Sequence, residues 1–208
     1  MNCPELYQVQ KSDLKQAAGM MAESFFQDPL YVHLIPSEEM RAKILPGYFN
    51  CYLEMCYPFT DMLADSPALD GMITVFDSER DGPHRSYRLA VARCVLRVAW
   101  LLWRKDPSGA TIRSFLSFRS CLSSKWERKL EIGESVHIDL LAVRPSAQGR
   151  GIAGRLMKTV LDAVDRRNIS AALETHNGKN VPLYRRFGFE LFEMTAAKGN
   201  LKQYCMIR

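Results

Sequence analysis

The sequence lacks the features that would assign it to a metal-binding or secreted class of protein. Its six cysteines are scattered and form no C-x-x-C pair, so the usual spacing of a zinc site is missing and no metal is expected. Cysteines of this kind are typical of reduced thiols, which predicts a cytoplasmic protein. The N-terminal segment 1–5 has neither the basic nor the apolar part of a secretory signal.

Long apolar runs and blocks of positive charge are also missing. The most apolar stretch, Leu89 to Trp103, is interrupted by Arg93 and Arg97, and it is too short and too charged to span a bilayer. The net charge is +5 without a run of five basic residues, so nucleic acid is not an expected partner, whereas an anionic cofactor is compatible. The 208 residues, 47% of them hydrophobic, suffice for a single domain over residues 1–208.

Hydrophobic periodicity predicts alternating helices and strands in the first 130 residues. A basic amphipathic helix over 87–104 is compatible with membrane-surface contact, but packed helices with solvated arginines are far commoner, so a membrane is not expected as a partner. The last two predicted helices form an insertion over about residues 84–130. The elements are a strand at Leu6–Val9, helices from Asp13 to about Gln27 and from Pro36 to about Cys56, strands at Phe59–Leu63 and Gly71–Phe76, and helices at Tyr87–Arg104 and Ala110–Leu130.

The remainder of the chain gives sharper signals. Its first strand is rich in apolar and β-branched residues, and the helix that follows has Leu156, Val160 and Val164 at helical spacing. The predicted elements are a strand at Val136–Val143, a turn at Gln148–Gly154, a helix at Arg155–Arg167, a strand at Ala171–Glu174, a helix at Asn180–Phe187, and a closing hairpin of Phe189–Met194 and Gln203–Ile207.

The turn between this strand and helix carries the main chemical signal. Gly149, Gly151 and Gly154 let the main chain approach a ligand closely, and the helix N-terminus offers unpaired N–H groups and a positive dipole end. Together these features predict a pyrophosphate cradle. The turn lacks the G-K-[ST] of a Walker P-loop. Its glycines fit the spacing of a dinucleotide fingerprint, but seven elements precede its strand, and a plain tight turn is the structural alternative.

Two motifs in order resemble a known family. Gln148-x-x-Gly151-x-Ala153 matches the Q/R-x-x-G-x-G/A signature of the GNAT acetyltransferases, and residues 141–145 resemble the fourth strand of that superfamily and its exit. Residues 173–177 (L-E-T-H-N) and 180–189 (N-V-P-L-Y-R-R-F-G-F) resemble the L-E-T-x-N…N-x-P-x-Y-x-x-x-G-F pattern of the puromycin N-acetyltransferase-like branch. The specific match covers about residues 136–192, and residues 25–29 are similar to the F-x-x-D-P of that branch.

The resemblance implies an α/β GNAT fold. A mixed, mainly antiparallel central sheet would carry helices on both faces, with the helical insertion before the fourth strand and a V-shaped gap between the fourth and fifth strands. It also implies direct transfer of an acetyl group from acetyl-CoA to a primary amine. A small-molecule acceptor and a monomer or homodimer are expected.

The resemblance also implies which residues hold the cosubstrate. The main chain of the fourth strand would pair with the pantetheine arm, the turn would hold the pyrophosphate, and Asn180 would contact CoA near the arm. The strand residues are Leu141, Ala142 and Val143, and those of the turn are Gln148, Gly149, Arg150, Gly151, Ile152, Ala153 and Gly154.

Tyr184 is the expected proton donor to the leaving thiolate, because a phenol stays protonated at neutral pH; a packed aromatic is the structural alternative. His137 is the expected general base, since its ordinary pKa suits that role. Asp139 lies on the same strand face and would orient His137 or hold the amine. Glu134 is a second candidate base, and a merely structural polar pair is the alternative for the strand.

The acceptor pocket is expected at the first helix and the loop after it. Its predicted residues are Phe25, Phe26, Asp28 and Tyr31. A CoA-binding sensor or structural domain without turnover is the alternative function. Tyr184 argues against it, because a protein that only binds CoA has no need of that phenol.

Overall fold

A computed structural model describes residues 1, 3–78, 84–117, 126, 134–196 and 201–208. Its helices and strands alternate along the chain in the order that the sequence predicts, with one additional short helix, α2. They are β1 (Tyr7–Gln8), α1 (Leu14–Ser24), α2 (Pro29–Leu34), α3 (Glu38–Cys56), β2 (Asp61–Ala64), β3 (Gly71–Asp77), α4 (His84–Lys105), α5 (Ala110–Ser117), β4 (Ser135–Val143), α6 (Ile152–Arg167), β5 (Ser170–Thr175), α7 (Val181–Arg186), β6 (Glu190–Ala196) and β7 (Lys202–Ile207).

The strands form one mixed sheet in the order β1-β2-β3-β4-β5-β7-β6. Neighbouring strands are antiparallel except β4 and β5, which are parallel. The predicted closing hairpin is present as the antiparallel β6–β7 pair, and β7 also pairs with β5. The predicted α/β architecture with a mainly antiparallel sheet is therefore confirmed.

Helices cover both faces of the sheet, as predicted. On one face, α6 buries Leu156, Val160 and Val164, the residues whose spacing predicts its apolar side. On the other face, α1 and α3 bury a second core that includes Met20 and Phe49. Burial of apolar surface on both sides of the sheet stabilises the central strands and holds β4 between two packed layers.

A β-bulge and a gap occur in the middle of β4. Thr74 pairs with Leu140 and Val75 with Ile138, so Asp139 is the extra residue of the bulge. The parallel pairing of β4 with β5 covers only residues 135–138 and 170–173. Beyond Ile138 the two strands separate, because β4 continues along β3 while β5 continues along β7. The V-shaped gap predicted between the fourth and fifth strands is present.

Two predicted boundaries, the end of the first helix and the start of β2, were wrong for identifiable reasons. The first helix ends at Ser24, and Asp28 then caps α2 by accepting a hydrogen bond from the main-chain N–H of Leu30 at 2.9 Å. Asp before Pro both ends the preceding helix and starts a new one, since Asp caps a helix and Pro is favoured in its first turn. β2 begins at Asp61 instead of Phe59, whose N–H donates to the carbonyl of Cys56 at 2.8 Å in a turn.

The predicted helical insertion precedes β4. α4 packs on α3 through Cys94 and Leu102, and the helices approach closely where a Cβ on Gly47 would lie 2.9 Å from Leu101 Cδ2. Arg97 forms an ion pair with Glu54 of α3. The predicted second helix is observed as α5, and its continuation from residue 118 to 130 lies outside the described residues apart from residue 126.

The sequence favours a packed α4, but packing covers only part of its apolar surface. Several large apolar residues of α4 are each more than half exposed, including Leu89, Leu96, Trp100 and Trp103. Among the residues that the structure describes, no helix is both long and apolar enough to cross a membrane.

Candidate active site

A cavity lies where β4 and β5 separate, and five other elements complete it. Its walls come from the end of α1 and from α2, α3, α7 and β7, as well as from the two strands. The lining residues are Phe25, Asp28, Leu30, Tyr31, Tyr48, Tyr52, Ile138, Asp139, Leu140, Leu141, Leu173, Glu174, Thr175, His176, Asn180, Tyr184 and Gln203. Of the sequence-predicted site residues, the cavity brings together Asp28, Tyr31, Asp139 and Tyr184 with Phe25, Leu141 and Asn180.

The turn after β4 has the geometry of an anion cradle. Gly149 and Gly151 have φ values of 81° and 75°, in the left-handed region that favours glycine. A Cβ added at either residue, or at Gly154 in the first turn of α6, would meet nothing within 4 Å. Because its N-cap Gly151 has no side chain, the first N–H groups of α6 remain available to a ligand. A phosphate group fits this open helix N-terminus.

The start of α6 packs against β3, where Gly71 leaves room for the side chain of Ile152. Ile152 is 4% exposed, and a Cβ on Gly71 would lie only 2.4 Å from Ile152 Cγ2. The side chain of Ile152 therefore packs in the core, and only its main chain faces the turn. α6 begins three residues earlier than predicted, so Ile152, Ala153 and Gly154 belong to the helix and not to the turn before it.

The exit of β4 carries main-chain groups along the open side of the gap. Leu141 and Val143 pair with Ile73 and Gly71 of β3 on one edge, and the other edge lies beyond the paired part of β5. Ala142 is 4% exposed and packs in the core of α1 and α3. The strand edge therefore offers main-chain donors and acceptors in line with the glycine turn.

Tyr184 lies on α7 with its ring in the cavity wall. It is 7% exposed, and its ring packs edge-on against Phe189 with the centroids 6.2 Å apart. Burial, reinforced by the negative charge of Asp28, raises the pKa of Tyr184 to about 12. The phenol is therefore protonated throughout the neutral range and is available as a donor.

His137 does not line the cavity, although its partner does. His137 Nε2 lies 3.0 Å from Glu174 Oε2, and both side chains are nearly buried. The other oxygen, Glu174 Oε1, accepts a hydrogen bond from the indole Nε1 of Trp126 at 2.7 Å. Glu174 thus links the cavity to His137, which lies one shell behind the cavity wall.

Asp139 lines the cavity at the bulge and is held by α3. Both of its carboxyl oxygens accept from the hydroxyl of Tyr52, at 2.8 and 3.0 Å. The second candidate base, Glu134, is exposed just before β4 and does not line the cavity. Of the three residues predicted for the general base and its partner, Asp139 therefore lines the cavity, whereas His137 and Glu134 do not.

The part of the cavity wall formed by the end of α1, α2 and α3 combines a carboxyl group with aromatic rings. Burial raises the pKa of Asp28 to about 6, although the hydrogen bond that its carboxylate accepts from the Leu30 N–H lowers that pKa. Tyr31 packs edge-on against Phe25 and Tyr48, with centroid separations of 5.8 Å in both pairs. The wall thus places a carboxyl group, which attracts a cation once it is ionised, beside several ring faces, a combination suited to an organic cation.

Phe26 does not contribute to this wall. Its ring lies under the guanidinium of Arg41, with Cζ of Arg41 5.1 Å from the ring centroid. Both side chains belong to the packing around the α2–α3 connection, and the prediction that Phe26 lines the acceptor pocket has no support in the geometry.

Sequence reasoning missed several cavity residues. Tyr48 and Tyr52 lie one helical turn apart on α3 and line the cavity, whereas the neighbouring Phe49 is fully buried, so an aromatic residue type alone does not separate lining from core. Glu174 and His176 belong to the L-E-T-H-N motif, which carries the family resemblance but gives neither residue a role. The alternation of polar with apolar residues at the end of β5 is the sequence signal that could have predicted that their side chains face a cavity.

No group of three or more His, Cys, Asp or Glu suited to a metal ion occurs among the residues that the structure describes.

Comparison with known proteins supports the assignment of the fold. Residues 129–206 match the family model of the acetyltransferase (GNAT) domain. No curated protein matches the sequence. The histone acetyltransferase HPA2 and related acetyltransferase from Corynebacterium glutamicum superposes with a TM-score of 0.65 at 16% identity, over 97% of this chain and 93% of that protein.

Two further structures have the same fold. The polyamine N-acetyltransferase of Drosophila melanogaster, which catalyses the formation of N-acetylagmatine, has a TM-score of 0.57 at 14% identity and 98% coverage of both chains. The PaiA N-acetyltransferase of Thermoplasma acidophilum, solved with coenzyme A, has a TM-score of 0.55 at 13% identity, over 98% of this chain and 97% of that one. The fold is that of the GNAT acetyltransferases.

Proposed function

We propose that the protein is an N-acetyltransferase that transfers the acetyl group of acetyl-CoA directly to a primary amine in a ternary complex. The observation that carries this proposal is the continuity between the glycine turn, the open edge of β4 and the cavity that contains Tyr184. An extended cosubstrate with a diphosphate at one end and a thioester at the other matches this path. The scattered spacing of the cysteines along the sequence supports a cytoplasmic location.

Three parts of the chain would each hold a different part of the cosubstrate. Main-chain N–H groups from Gln148 through Gly154 hold the diphosphate, next to the exposed guanidinium of Arg150. The main chain of Leu141 and Val143 pairs with the pantetheine arm as an added strand would. Asn180, which lines the cavity at the start of α7, contacts the arm near the thioester.

The chemistry requires the amine to lose one proton and the thiolate to gain one. The free amine attacks the thioester carbonyl, and the tetrahedral intermediate collapses by breaking the C–S bond. The main-chain N–H of Leu141 is the proposed donor to the carbonyl oxygen in that intermediate. The phenol of Tyr184 protonates the departing CoA sulfur, and the proton lost by the amine restores the phenol through solvent.

The geometry favours removal of the amine proton by two residues that act together. Glu174 lines the cavity and lies 3.0 Å from His137, so we assign the first contact with the ammonium to Glu174 and the final base to His137. Asp139 lines the same cavity and helps to hold the cation there. Glu134 has no contact with the cavity, so it has no role in this proposal.

The acceptor that suits this cavity is a small amine with a second positive charge. Asp28 lines the same cavity as the strand carboxylates Asp139 and Glu174, and no Lys or Arg is among the described lining residues. Tyr31, Tyr48 and Tyr52 add aromatic faces that attract a cation. The polyamine substrates of the Drosophila neighbour are consistent with this choice. The resemblance to the puromycin N-acetyltransferase-like branch remains a prediction and does not identify the acceptor.

Release of free thiol from acetyl-CoA tests this proposal with pairs of amines of equal length, each pair consisting of a diamine and the corresponding monoamine. We expect acetylation of both members, with a KM at least about tenfold lower for the diamine, which corresponds to one added ion pair. Acetylation with equal KM values would refute the dicationic acceptor but not the activity. Binding of acetyl-CoA without acetylation of any amine would instead favour the non-catalytic sensor.

Two glycine variants test the cosubstrate site. Gly154 and Gly19 are both helical, and a Cβ added at either meets nothing within 4 Å. Gly154→Trp should abolish CoA binding in calorimetry because the indole fills the cradle, whereas Gly19→Trp on α1 should bind CoA like the parent. Unchanged CoA affinity in Gly154→Trp would place the diphosphate elsewhere.

A further inference from the structure

We propose that the outer face of α4 docks the protein on the surface of an anionic lipid bilayer. This face, the outer stripe, consists of Leu89, Leu96, Trp100 and Trp103, which are 53%, 70%, 57% and 61% exposed. Large apolar side chains at this exposure are unusual on a surface that has no partner.

The outer stripe is a continuous feature of the helix. Its members are separated by seven, four and three residues, which places them on one side of an α-helix. Cys94 and Leu102 lie on the other side, buried towards α3. α4 therefore has two apolar faces, of which packing within the described part of the chain uses one.

Charges beside the outer stripe indicate the chemistry of its partner. The α4 sequence contains no Asp or Glu. Arg88 borders the stripe on one side, and Arg93 and Arg104 border it on the other, as helical spacing at 100° per residue requires. The guanidinium of Arg104 also lies over the ring of Trp100, 5.2 Å from its centroid.

This arrangement suits a bilayer surface better than a second copy of the chain. In a two-fold dimer through the outer stripe, the arginines of one copy would face those of the other, and α4 offers no carboxylate to compensate them. Anionic headgroups supply the missing counter-charge, and each basic residue near such a surface strengthens the binding. Tryptophan is enriched at the membrane interface, where its ring is apolar and its N–H is wet. An amphipathic helix of this kind lies in the interface plane and does not cross the bilayer.

Vesicle co-sedimentation of the full chain tests this inference. We expect binding to vesicles of phosphatidylcholine with about one third phosphatidylserine, and much weaker binding to phosphatidylcholine alone. High salt should release the protein, and tryptophan fluorescence should shift to the blue on binding. No binding to the anionic vesicles, or equal and salt-insensitive binding to both kinds, would overturn the inference.

Matched variants locate the contact. Leu96→Ser/Trp103→Ser should weaken binding about tenfold or more, because two interfacial anchors are lost. Leu191→Ser/Met194→Ser is its control, since these β6 side chains are 40% and 50% exposed and lie outside the outer stripe. Equal loss in both variants would overturn the assignment of the contact to α4.

Two charge-reversal variants test the role of the arginines beside the outer stripe. Arg88→Glu/Arg93→Glu should also weaken binding about tenfold or more, whereas Lys15→Glu/Lys202→Glu, with the same net charge and exposed positions on α1 and β7, should retain most of it. Light scattering without lipid is the last measurement. A dimer that Leu96→Ser/Trp103→Ser converts to a monomer would assign the outer stripe to a second copy and overturn the inference.

Discussion

Burial changes the protonation of two residues of the cavity, Asp28 and Tyr184, in the same direction. It raises the pKa of both groups, to about 6 and about 12, because the ionised form is disfavoured in each case. The consequences differ. The phenol is kept as a proton donor at every pH at which the protein would operate, whereas the carboxyl group titrates close to neutrality and attracts a cation only in its ionised form.

Replacing Tyr184 with Phe tests its role as proton donor. We expect Tyr184→Phe to lower kcat by about 10²–10⁴-fold, the usual contribution of a positioned general acid, with little change in the Kd of CoA. Tyr204→Phe on β7, which lies outside the cavity lining, is the control. A kcat within twofold of the parent enzyme, measured by thiol release, would show that another group or water protonates the thiolate.

Asp28→Asn separates stability from substrate binding. The carboxyl group has a folded pKa of about 6 and an ordinary value of 3.8, so the folded state holds its proton more tightly than the unfolded state. The free energy of unfolding of the parent protein therefore falls as pH rises from about 4 to about 6. Asparagine can still cap α2 and lacks this titration, so the variant should be more stable by roughly 2–3 kcal/mol at pH 8.

The change of the stability difference with pH is the control for the Asp28→Asn prediction. The stability difference measured by urea unfolding should be small near pH 4 and should level off above pH 6 to 7. A variant that is less stable than the parent at pH 8 would contradict the buried-charge explanation. The same variant should lose most of its preference for diamines over monoamines.

At the scale of elements, the short connection between α2 and α3 positions the acceptor wall. Arg41 is 2% exposed, and its Nη1 donates to the carbonyls of Ile35 and Pro36, both at 2.8 Å. These carbonyls follow the end of α2, the helix that carries Tyr31 on its inner side. The guanidinium thus ties the end of one cavity element to the start of the next.

Arg41→Met should destabilise the protein by about 2–4 kcal/mol, because it leaves two carbonyl groups of the connection without their charged donor. Lys43→Met, an exposed change in the same helix, should cost less than about 0.5 kcal/mol. Urea unfolding of both variants checks the difference. Similar stability in Arg41→Met and the parent would show that solvent satisfies these carbonyls.

Most elements of the fold were predictable, whereas the details that shape the cavity were not. The apolar spacing on α6 and the run of β-branched and apolar residues in β4 determine their structures locally, so both were predicted to within three residues. α2 was missed because its six residues are too few to show helical periodicity, although Asp28 and Pro29 mark its start.

The candidate site was predictable where its role belongs to the main chain. The sequence predicts close approach of a ligand to the main chain at these glycines, and the structure adds that Gly149 and Gly151 adopt the left-handed conformation that favours glycine. The contact of Glu174 with His137 and Trp126 depends on which strands become neighbours. The bulge at Asp139 depends on the register with β3. Neither is determined by local sequence.

At the scale of the whole molecule, the separation of β4 from β5 leaves a seam between two halves of the sheet. β1 to β4 form one half and β5 to β7 the other, and their direct pairing is limited to four residues of each strand. A cosubstrate bound along the open part of β4 would extend the contact between the halves.

We therefore expect CoA to stabilise the folded protein by an amount that rises with the logarithm of its concentration above its Kd. At a free concentration 100 times its Kd, CoA should add about 2.7 kcal/mol to the free energy of unfolding. A thermal-shift titration measures this effect, with adenosine diphosphate as a comparison ligand that fills only the diphosphate end. Equal thermal shifts for the two ligands at every shared concentration would contradict a role for the pantetheine arm along β4.

Gly71 places a constraint on the cosubstrate turn from more than 70 residues away. Since Ile152 Cγ2 occupies the place of its missing Cβ, even alanine at position 71 would push the first turn of α6 outward from β3. The N–H groups proposed to hold the diphosphate would move with that turn. If CoA binds there, its affinity should be sensitive to a residue that never touches it, and a survey of permitted substitutions should find position 71 as intolerant as the turn itself.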